Sequence, residues 1–354
     1  MNTLEPLTSL SPARFRVPEV LVQLAKASRA LAELKGLALS IPNQSILIHA
    51  LGMREAKESS EIENIITSHD ELFTSDASEE VQNSAAKEVL CYRQALGVGF
   101  DLVRENNIIT TNDVLQIHQE LACTRPGLRT MPGTVIVNSL REVIYRPPQN
   151  AEEIKSLMHD LEKFLNEPSW FDIDPLIKMA IQHYQFESIH PFYDGNGRTG
   201  RILNVLYLVQ QDLLSIPILY LSKYILRHRM DYYNLLQQVR TNDYWEKWVI
   251  YMLEMVEQAS VDAIAIINQI REAMLKTKTA IRSNYKFYSQ DLINSLFMHP
   301  YTKAQLVAKE LDVSRLTATR YLAALESVGI LKKETRGRTN YYINNALVEI
   351  ITQS

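Results

Sequence analysis

Twelve consecutive residues concentrate the chemistry of this chain: HPFYDGNGRTGR, from His190 to Arg201. A histidine titrates near neutral pH and can take a proton from a hydroxyl. Asp194 offers the hard carboxylate oxygen that Mg²⁺ accepts beside phosphates. The turn Gly195-Asn196-Gly197 tolerates positive φ. Running into a helix N-terminus, it presents backbone N–H groups to an anion, and the Asn196 amide adds a candidate donor. Arg198 and Arg201 are three residues apart, so both can face one ligand. Cations at a helix start oppose its dipole by roughly 0.3–1 kcal/mol each unless an anion is present. A structural turn needs the glycines and neither the histidine nor the arginines. The string as a whole therefore points to a di- or triphosphate held beside a general base.

Two helices must hold that turn. DPLIKMAIQHYQFESIH opens after Asp174 with Pro175 at its first position, and RTGRILNVLYLVQQ follows the turn. Helical periodicity over 174–189 and 198–213 recurs at 17–40, 80–105, 112–122, 151–166, 229–239 and 243–275. Strand signals appear twice. TVIV (134–137) and EVIY (142–145) flank Asn-Ser-Leu-Arg and end at Pro147-Pro148; 330–334 and 340–344 flank a basic turn. The expectation is a mainly α chain in successive parts: an N-terminal helical region (1–104), a core (105–255), a linker helix (256–285) and a C-terminal domain (286–354).

Composition narrows the class. With 354 residues, 46% of them hydrophobic, the chain can bury a sizeable core. A net charge of −4 selects no partner. Cys91 and Cys123 are too few for a disulfide framework and form no Cys-x-x-Cys pair, which fits a reducing compartment. MNTLEPLTSLSPARF lacks the basic start and apolar run of a signal peptide, and no 18-residue apolar stretch suits a membrane. A cytoplasmic protein with no membrane partner is expected.

The string 190–201 meets all eight specified positions of H-x-F-x-(D/E)-G-N-G-R-x-x-R, and on that ground the chain resembles the Fic domain family. The resemblance implies a Fic-type helical bundle with a β-hairpin flap and transfer of AMP from ATP to a protein hydroxyl, with Mg²⁺. His190 would be the base, and Asp194 the metal ligand. Gly195, Asn196 and Gly197 would bind the α- and β-phosphates, Arg198 the phosphates and Arg201 the γ-phosphate. Thr199 and Gly200 complete the nucleotide-binding stretch, and Phe192 would anchor the loop inward. The segment 129–148 sits where the family has its flap, so Val135, Ile136 and Val137 would register a target segment by strand addition. Tyr232 would lie beside adenine.

Upstream, SSEIENI (59–65) carries two readings. Ser60-x-x-Glu63 is a helix capping box, which would stabilise a helix start by about 1 kcal/mol. Ser59, Glu63 and Asn64 also match (S/T)-x-x-x-E-(G/N), the family's inhibition motif. If helical, Ser59 and Glu63 share a face. The resemblance then implies that Glu63 pairs with Arg201 and diverts it from the γ-phosphate. The two readings are compatible. In some family members the same glutamate serves AMP removal.

The C-terminal region is basic: residues 301–345 hold eight Lys/Arg against four Asp/Glu. TKAQLVAKELDVSRLTATRYLAALESVGILKKETRGRTNYYIN reads as helix, turn, helix and a two-stranded wing. Leu306, Val307 and Leu311 make one apolar face, and Ser314 is the second helix's N-cap. Leu316, Tyr321, Leu322 and Leu325 are expected in the core, with Arg315, Thr317, Thr319 and Arg320 outward. This resembles an α+β winged helix-turn-helix domain, whose partner is either duplex DNA, met by that helix and the wing arginines Arg336 and Arg338, or another protein.

The function expected is therefore a protein adenylyltransferase acting on Ser, Thr or Tyr hydroxyls, its own tyrosines among the candidates, and inhibited through Glu63. Two rivals stand: an enzyme of the same fold that transfers another group, such as phosphate or UMP, or that removes AMP as a de-AMPylase, and a nucleotide-sensing transcriptional regulator, for which an intact His190 would be superfluous. A homodimer is compatible with the sequence.

Overall fold

A computed structural model describes residues 4, 7–78, 83–124, 127–137 and 140–353. The parts of the expected segments 1–15, 80–105, 286–354 and the flap turn that fall on residues 1–3, 5, 6, 79–82, 125, 126, 138, 139 and 354 lie outside that description.

The chain is mainly helical with two small antiparallel sheets. Helix α1 (Pro18–Ala38) starts at a proline, whose missing N–H costs nothing in a first turn. Its buried Val20, Ala27, Leu31, Leu34 and Ala38 recur at helical spacing and pack on the long helix α11 (Trp245–Asn284). Between them in sequence lie α2 (Ser45–Ile62), α3 (His69–Asp76), α4 (Ser84–Asn106), α5 (Thr111–Ala122), the hairpin β1 (Ile136–Val137) and β2 (Val143–Tyr145), α6 (Ala151–Asn166), α7 (Pro175–Ile189), α8 (Asn196–Gln210), α9 (Ser222–Arg227) and α10 (Arg229–Asn242).

The pair α7 and α8 occupies the centre and is buried on nearly every face. Burial there includes polar side chains, several of which bond one another in the dry interior. Asn204 Nδ2 lies 3.1 Å from His183 Nδ1, His183 Nε2 lies 2.8 Å from the Tyr232 hydroxyl, and Gln182 donates to Asn204. Trp248 Nε1 on α11 donates to the Ala180 carbonyl at 2.8 Å.

Among the described residues, five helices fall outside the periodic segments read from sequence. Four of them, α3, α9, α12 (Gln290–Met298) and α15 (Asn345–Gln353), have nine residues or fewer, too few turns to print a period. In α2 the polar Glu55, Ser59 and Ser60 are buried, which erases the expected apolar stripe. The cysteine reading is corrected as well: Cys91 on α4 and Cys123 after α5 are bonded to each other, so cysteine usage no longer supports a reducing compartment. Among the described residues no helix is long and apolar enough to cross a membrane.

After α12 come β3 (Tyr301–Thr302), α13 (Ala304–Glu310), α14 (Arg315–Ser327) and the hairpin β4 (Lys332–Arg336) with β5 (Thr339–Ile343), in sheet order β3-β5-β4. Ser314 Oγ accepts from the Thr317 N–H and caps α14. Ala318, Leu322 and Leu325 are buried, whereas Leu316, expected in the core, is 75% exposed. It lies two residues before Ala318, on the opposite side of α14.

Candidate active site

Helix α7 ends on His190, whose φ of 50° turns the chain sharply out of the helix. Phe192 then points inward, fully buried, its ring stacked on His118 of α5 at 3.6 Å between centroids. His118 Nε2 also lies 2.9 Å from the Asp194 carbonyl. The Asn196 side chain closes this loop on itself: Oδ1 accepts from the Phe192 N–H and Nδ2 donates to the Phe192 carbonyl, both at 2.8 Å. One of the two N–H groups of this amide is thereby engaged within the loop.

Gly195 takes a φ of 76°, suited to glycine, and no side chain caps the start of α8. The helix therefore begins with N–H groups that no cap residue occupies, the arrangement that receives anions. Thr199 Oγ1 donates to the Gly195 carbonyl at 2.9 Å. A Cβ on Gly200 would stand 2.9 Å from Glu187 Oε1 and 3.1 Å from Phe186, so this glycine serves the packing of α8 on α7. Thr199 and Gly200 thus shape the loop from behind.

Burial pushes the His190 imidazole down to about 4, and the nearby Arg129 charge adds to the shift. The ring is neutral at physiological pH, as a base must be. Arg129, fully buried, donates Nε to the His190 carbonyl at 2.7 Å and Nη2 to the Ile189 carbonyl at 3.1 Å. The Tyr193 hydroxyl accepts from the N–H groups of Thr130 and Met131, each at 3.0 Å. These contacts bind the base of the flap segment to the His190–Arg201 turn. In the flap, Ile136 pairs with Tyr145 and Val137 with Val143, Val135 leads into the first strand, and the outer edge of β1 has no strand beside it among the described residues.

The charged side chains divide. The Asp194 carboxylate is 94% exposed and takes only the Gly195 N–H, at 2.7 Å, and a distant 3.7 Å approach from Arg198. Arg198 pairs with Glu88 of α4 at 3.3 Å. Arg201, fully buried, is held by α2: Nε donates to Ser59 Oγ at 2.8 Å, and Nη2 to the Ser59 carbonyl at 2.9 Å and Glu63 Oε1 at 3.1 Å. Burial works against this guanidinium's charge, but Glu63 and neighbouring groups more than offset it and raise its pKa.

Glu63 is placed by a helix ending, not a helix start. Asn64 adopts φ 63°, its N–H bonds the Glu61 carbonyl, and the Ile65 N–H bonds the Ser60 carbonyl, a Schellman termination. Arg229 donates to the Ile62 carbonyl at 2.8 Å beside it. The capping-box reading of Ser60 and Glu63 is thereby overturned: capping boxes exist at Ser68 with Glu71 and Thr110 with Asp113. Glu63 also lies over the start of α8, where a Cβ on Gly197 would come within 2.3 Å of its Oε1.

Tyr232, expected beside a nucleotide base, is 2% exposed and packs among His183, Trp248 and Tyr251. The helical rotation of one residue puts Tyr233 outward instead, 41% exposed with Arg229 over its ring, and close enough to Glu63 and Arg201 for their charges to affect its hydroxyl. Sequence reasoning missed Tyr233, Glu88, Arg129, His118 and Tyr193. Tyr233 adjoins the expected position, and Arg129 opens the flap segment; Glu88 and His118 carry no local signal.

At the C-terminal domain, Arg336 is engaged inside the molecule. It donates to Asp70 of α3 at 2.6 and 2.9 Å and to Glu334 at 2.8 Å, while the Tyr301 hydroxyl donates to Asp70 at 2.6 Å. Arg315, Arg320 and Leu316 of α14 face solvent.

Three family models match: Fic/DOC family N-terminal over residues 21–101, Fic/DOC family over 108–208, and Protein adenylyltransferase SoFic-like, C-terminal domain, over 273–347. Protein adenylyltransferase Fic of Aedes aegypti is 32% identical over 142 residues, 40% of this chain and 27% of that protein. Protein adenylyltransferase fic-1 of Caenorhabditis elegans is 29% identical over 109 residues, 31% and 21% of the two chains. The match thus spans about a quarter of the length of these curated relatives. A solved Fic family protein from Desulfovibrio desulfuricans aligns over 93% of this chain and 96% of that one, with TM-score 0.61 and 20% identity. Fic-1 of C. elegans aligns over 72% and 74%, with TM-score 0.54 and 23% identity. At these identities the structural likeness is one of fold.

Proposed function

Since the chain belongs to the Fic/DOC family, whose N-terminal and core models together cover just over half of it, we propose that it is a protein adenylyltransferase, moving AMP from ATP to hydroxyl side chains of proteins. The observation that carries this reading is the neutral His190 beside an uncapped α8 N-terminus flanked by Arg198 and Arg201. His190 takes the proton of the target hydroxyl as that oxygen bonds to the α-phosphorus. The bond from the α-phosphorus to the bridging oxygen breaks, and diphosphate leaves. Backbone N–H groups at Asn196 and Gly197, with both arginines, stabilise the developing charge.

Asp194 fits a hard cation, because its exposed carboxylate has an oxygen turned to solvent. It would hold Mg²⁺, which when bound offsets phosphate charge. The unpaired edge at Val135–Val137 receives the target segment. Glu63 withholds Arg201 from the donor's terminal phosphate, with Ser59 and Asn64 fixing its place. A cytoplasmic location rests on the N-terminal sequence and not on cysteine usage, since Cys91 and Cys123 are bonded; the chain's own tyrosines are candidate substrates, and a homodimer is an allowed assembly. For the C-terminal domain the engagement of Arg336 by Asp70 favours a protein partner over DNA.

Mass spectrometry of purified wild type, Glu63→Gly and His190→Ala after incubation with ATP and Mg²⁺ tests the reading. An AMP adduct on Glu63→Gly, weaker on wild type and missing from His190→Ala, is expected. If none of the three is modified, and none modifies a proteome extract, adenylyl transfer is the wrong reaction. Release of AMP from a pre-modified extract would identify the reverse direction.

A further inference from the structure

At the opposite end of α2 from Glu63, three side chains from three elements converge. His49 Nε2 on α2 lies 3.3 Å from Asp76 Oδ2, the last residue of α3. His299 Nδ1, between α12 and β3, lies 4.0 Å from the same oxygen. One ligand atom from each lies within 4.8 Å of the others, and the side chains are 17%, 8% and 16% exposed. His299 Nε2 faces Glu310 Oε1 at 2.8 Å. Glu310 and Asp76 hold His299 on either side of its ring and favour its charged form, so an ion bound here replaces the proton on Nδ1. The cluster thus offers one carboxylate and two imidazole nitrogens to a single ion, in a nearly dry space where Arg93 and a proton on His299 otherwise balance the Asp76 charge.

We propose that His49, Asp76 and His299 form a zinc site, with water completing a tetrahedron. Two imidazoles and one carboxylate are a ligand set that zinc accepts, and its bonds of about 2.0–2.2 Å place tetrahedral ligands roughly 3.3 Å apart. The His49–Asp76 pair has that spacing, and the His299 ring, 4.0 Å from Asp76 and within 4.8 Å of His49, must close on both. Glu310 is the outer carboxylate that orients His299. Arg93 is the competitor: its Nη2 lies 2.6 Å from Asp76 Oδ1, and its Nη1 contacts His49 Nε2. Zinc leaves the first contact intact and displaces the second.

The site joins α2 to the C-terminal domain, near the Arg336–Asp70 pair and a 3.0 Å contact between Tyr341 and Ser78. Glu63 lies about 20 Å away along α2. Zinc would hold α2 where Glu63 meets Arg201 and so lower AMP transfer. That consequence rests on the proposed function; the binding of zinc does not.

The test uses the untagged full chain, stripped with chelator and titrated with Zn²⁺ by calorimetry. One ion per chain is expected, with affinity at least tenfold lower in His49→Gln and His299→Gln and higher in Arg93→Ala. Circular dichroism checks that each variant is folded. Wild type that binds no Zn²⁺, or variants that bind it as tightly as wild type, overturn the site. Should the histidine variants fail to fold, Co²⁺ in the wild type decides, since an octahedral rather than tetrahedral absorption spectrum excludes the proposed ligands. Zinc that binds as expected but leaves the wild-type transfer rate unchanged overturns only the coupling to Glu63.

Discussion

The Arg201 guanidinium reaches across 138 residues of sequence to the Glu63 carboxylate, at 3.1 Å, and also takes the hydroxyl and carbonyl of Ser59. Arg201 is buried and Glu63 is partly open, so the arginine stays and the glutamate is the movable partner. A ligand that needs Arg201 must displace Glu63.

Removing that competitor should release the reaction. A hydrogen bond to a charged group contributes about 1.5–3 kcal/mol, which corresponds to roughly ten- to a hundredfold in rate. Glu63→Gly should raise initial AMP transfer by that factor, and Arg201→Ala should abolish it even alongside Glu63→Gly. Radiolabel transfer from ATP reads both; an unchanged Glu63→Gly rate at saturating ATP and Mg²⁺ would remove the inhibitory role.

Asn64 should matter through its backbone. A residue at φ 63° is tolerated as Asn or Gly but strains other side chains by about 1–2 kcal/mol. Asn64→Gly should keep the low basal rate, and Asn64→Val should raise it and lower the thermal midpoint. Equal behaviour of the two variants would mean that the helix ending does not position Glu63.

The pH profile should carry the signature of a buried base. His190 sits down at about 4 through burial, so it is already deprotonated across the neutral range. In Glu63→Gly, kcat/KM for transfer should be flat from about pH 8 to 5.5 and fall only toward pH 4. An acidic limb centred near 6.5, the ordinary histidine value, would contradict this environment.

Glu55 couples α2 to its neighbours and should make stability fall with alkali. Its carboxylate takes the Tyr92 hydroxyl at 3.1 Å and the Ser222 N–H at 3.2 Å, and burial pushes it up to about 7. The folded pKa exceeds the unfolded one, so its contribution is fully present below about 4.5 and is lost as pH rises through 7. Glu55→Gln, which cannot ionise, should gain thermal midpoint relative to wild type between pH 5 and pH 8. A difference that is constant across that range would place the charge elsewhere.

Some of the site is written locally. The turn at His190–Arg201 is fixed by neighbours in sequence: Phe192 inward, Gly195 at positive φ, Asn196 bonded back four residues. The positive φ of Gly195 was legible from the turn itself; the inward Phe192 was implied by the family resemblance and is held by His118, and the back-bonding of Asn196 was not read from the sequence. The helices α1, α6 and α11 were legible because each repeats its apolar face over several turns. The ending of α2 was not. Ser60-x-x-Glu63 has the same spelling at a helix start and at a helix end, and only the chain on either side decides.

Tertiary structure supplied every partner that comes from a distant element. Arg129, Glu88 and His118 are ordinary residues in sequence; they gain roles because burial removes water and makes each charge or ring depend on whichever group the fold brings near. The same cause turned Tyr232 into the core and Tyr233 outward, bonded Cys91 to Cys123, and gave Arg336 to Asp70. Sequence determined the chemistry that the twelve-residue turn can carry, because its geometry is local. Apart from Glu63, which the family motif paired with Arg201, the fold decided which side chains restrain it, because long-range burial selects partners that local spacing does not record.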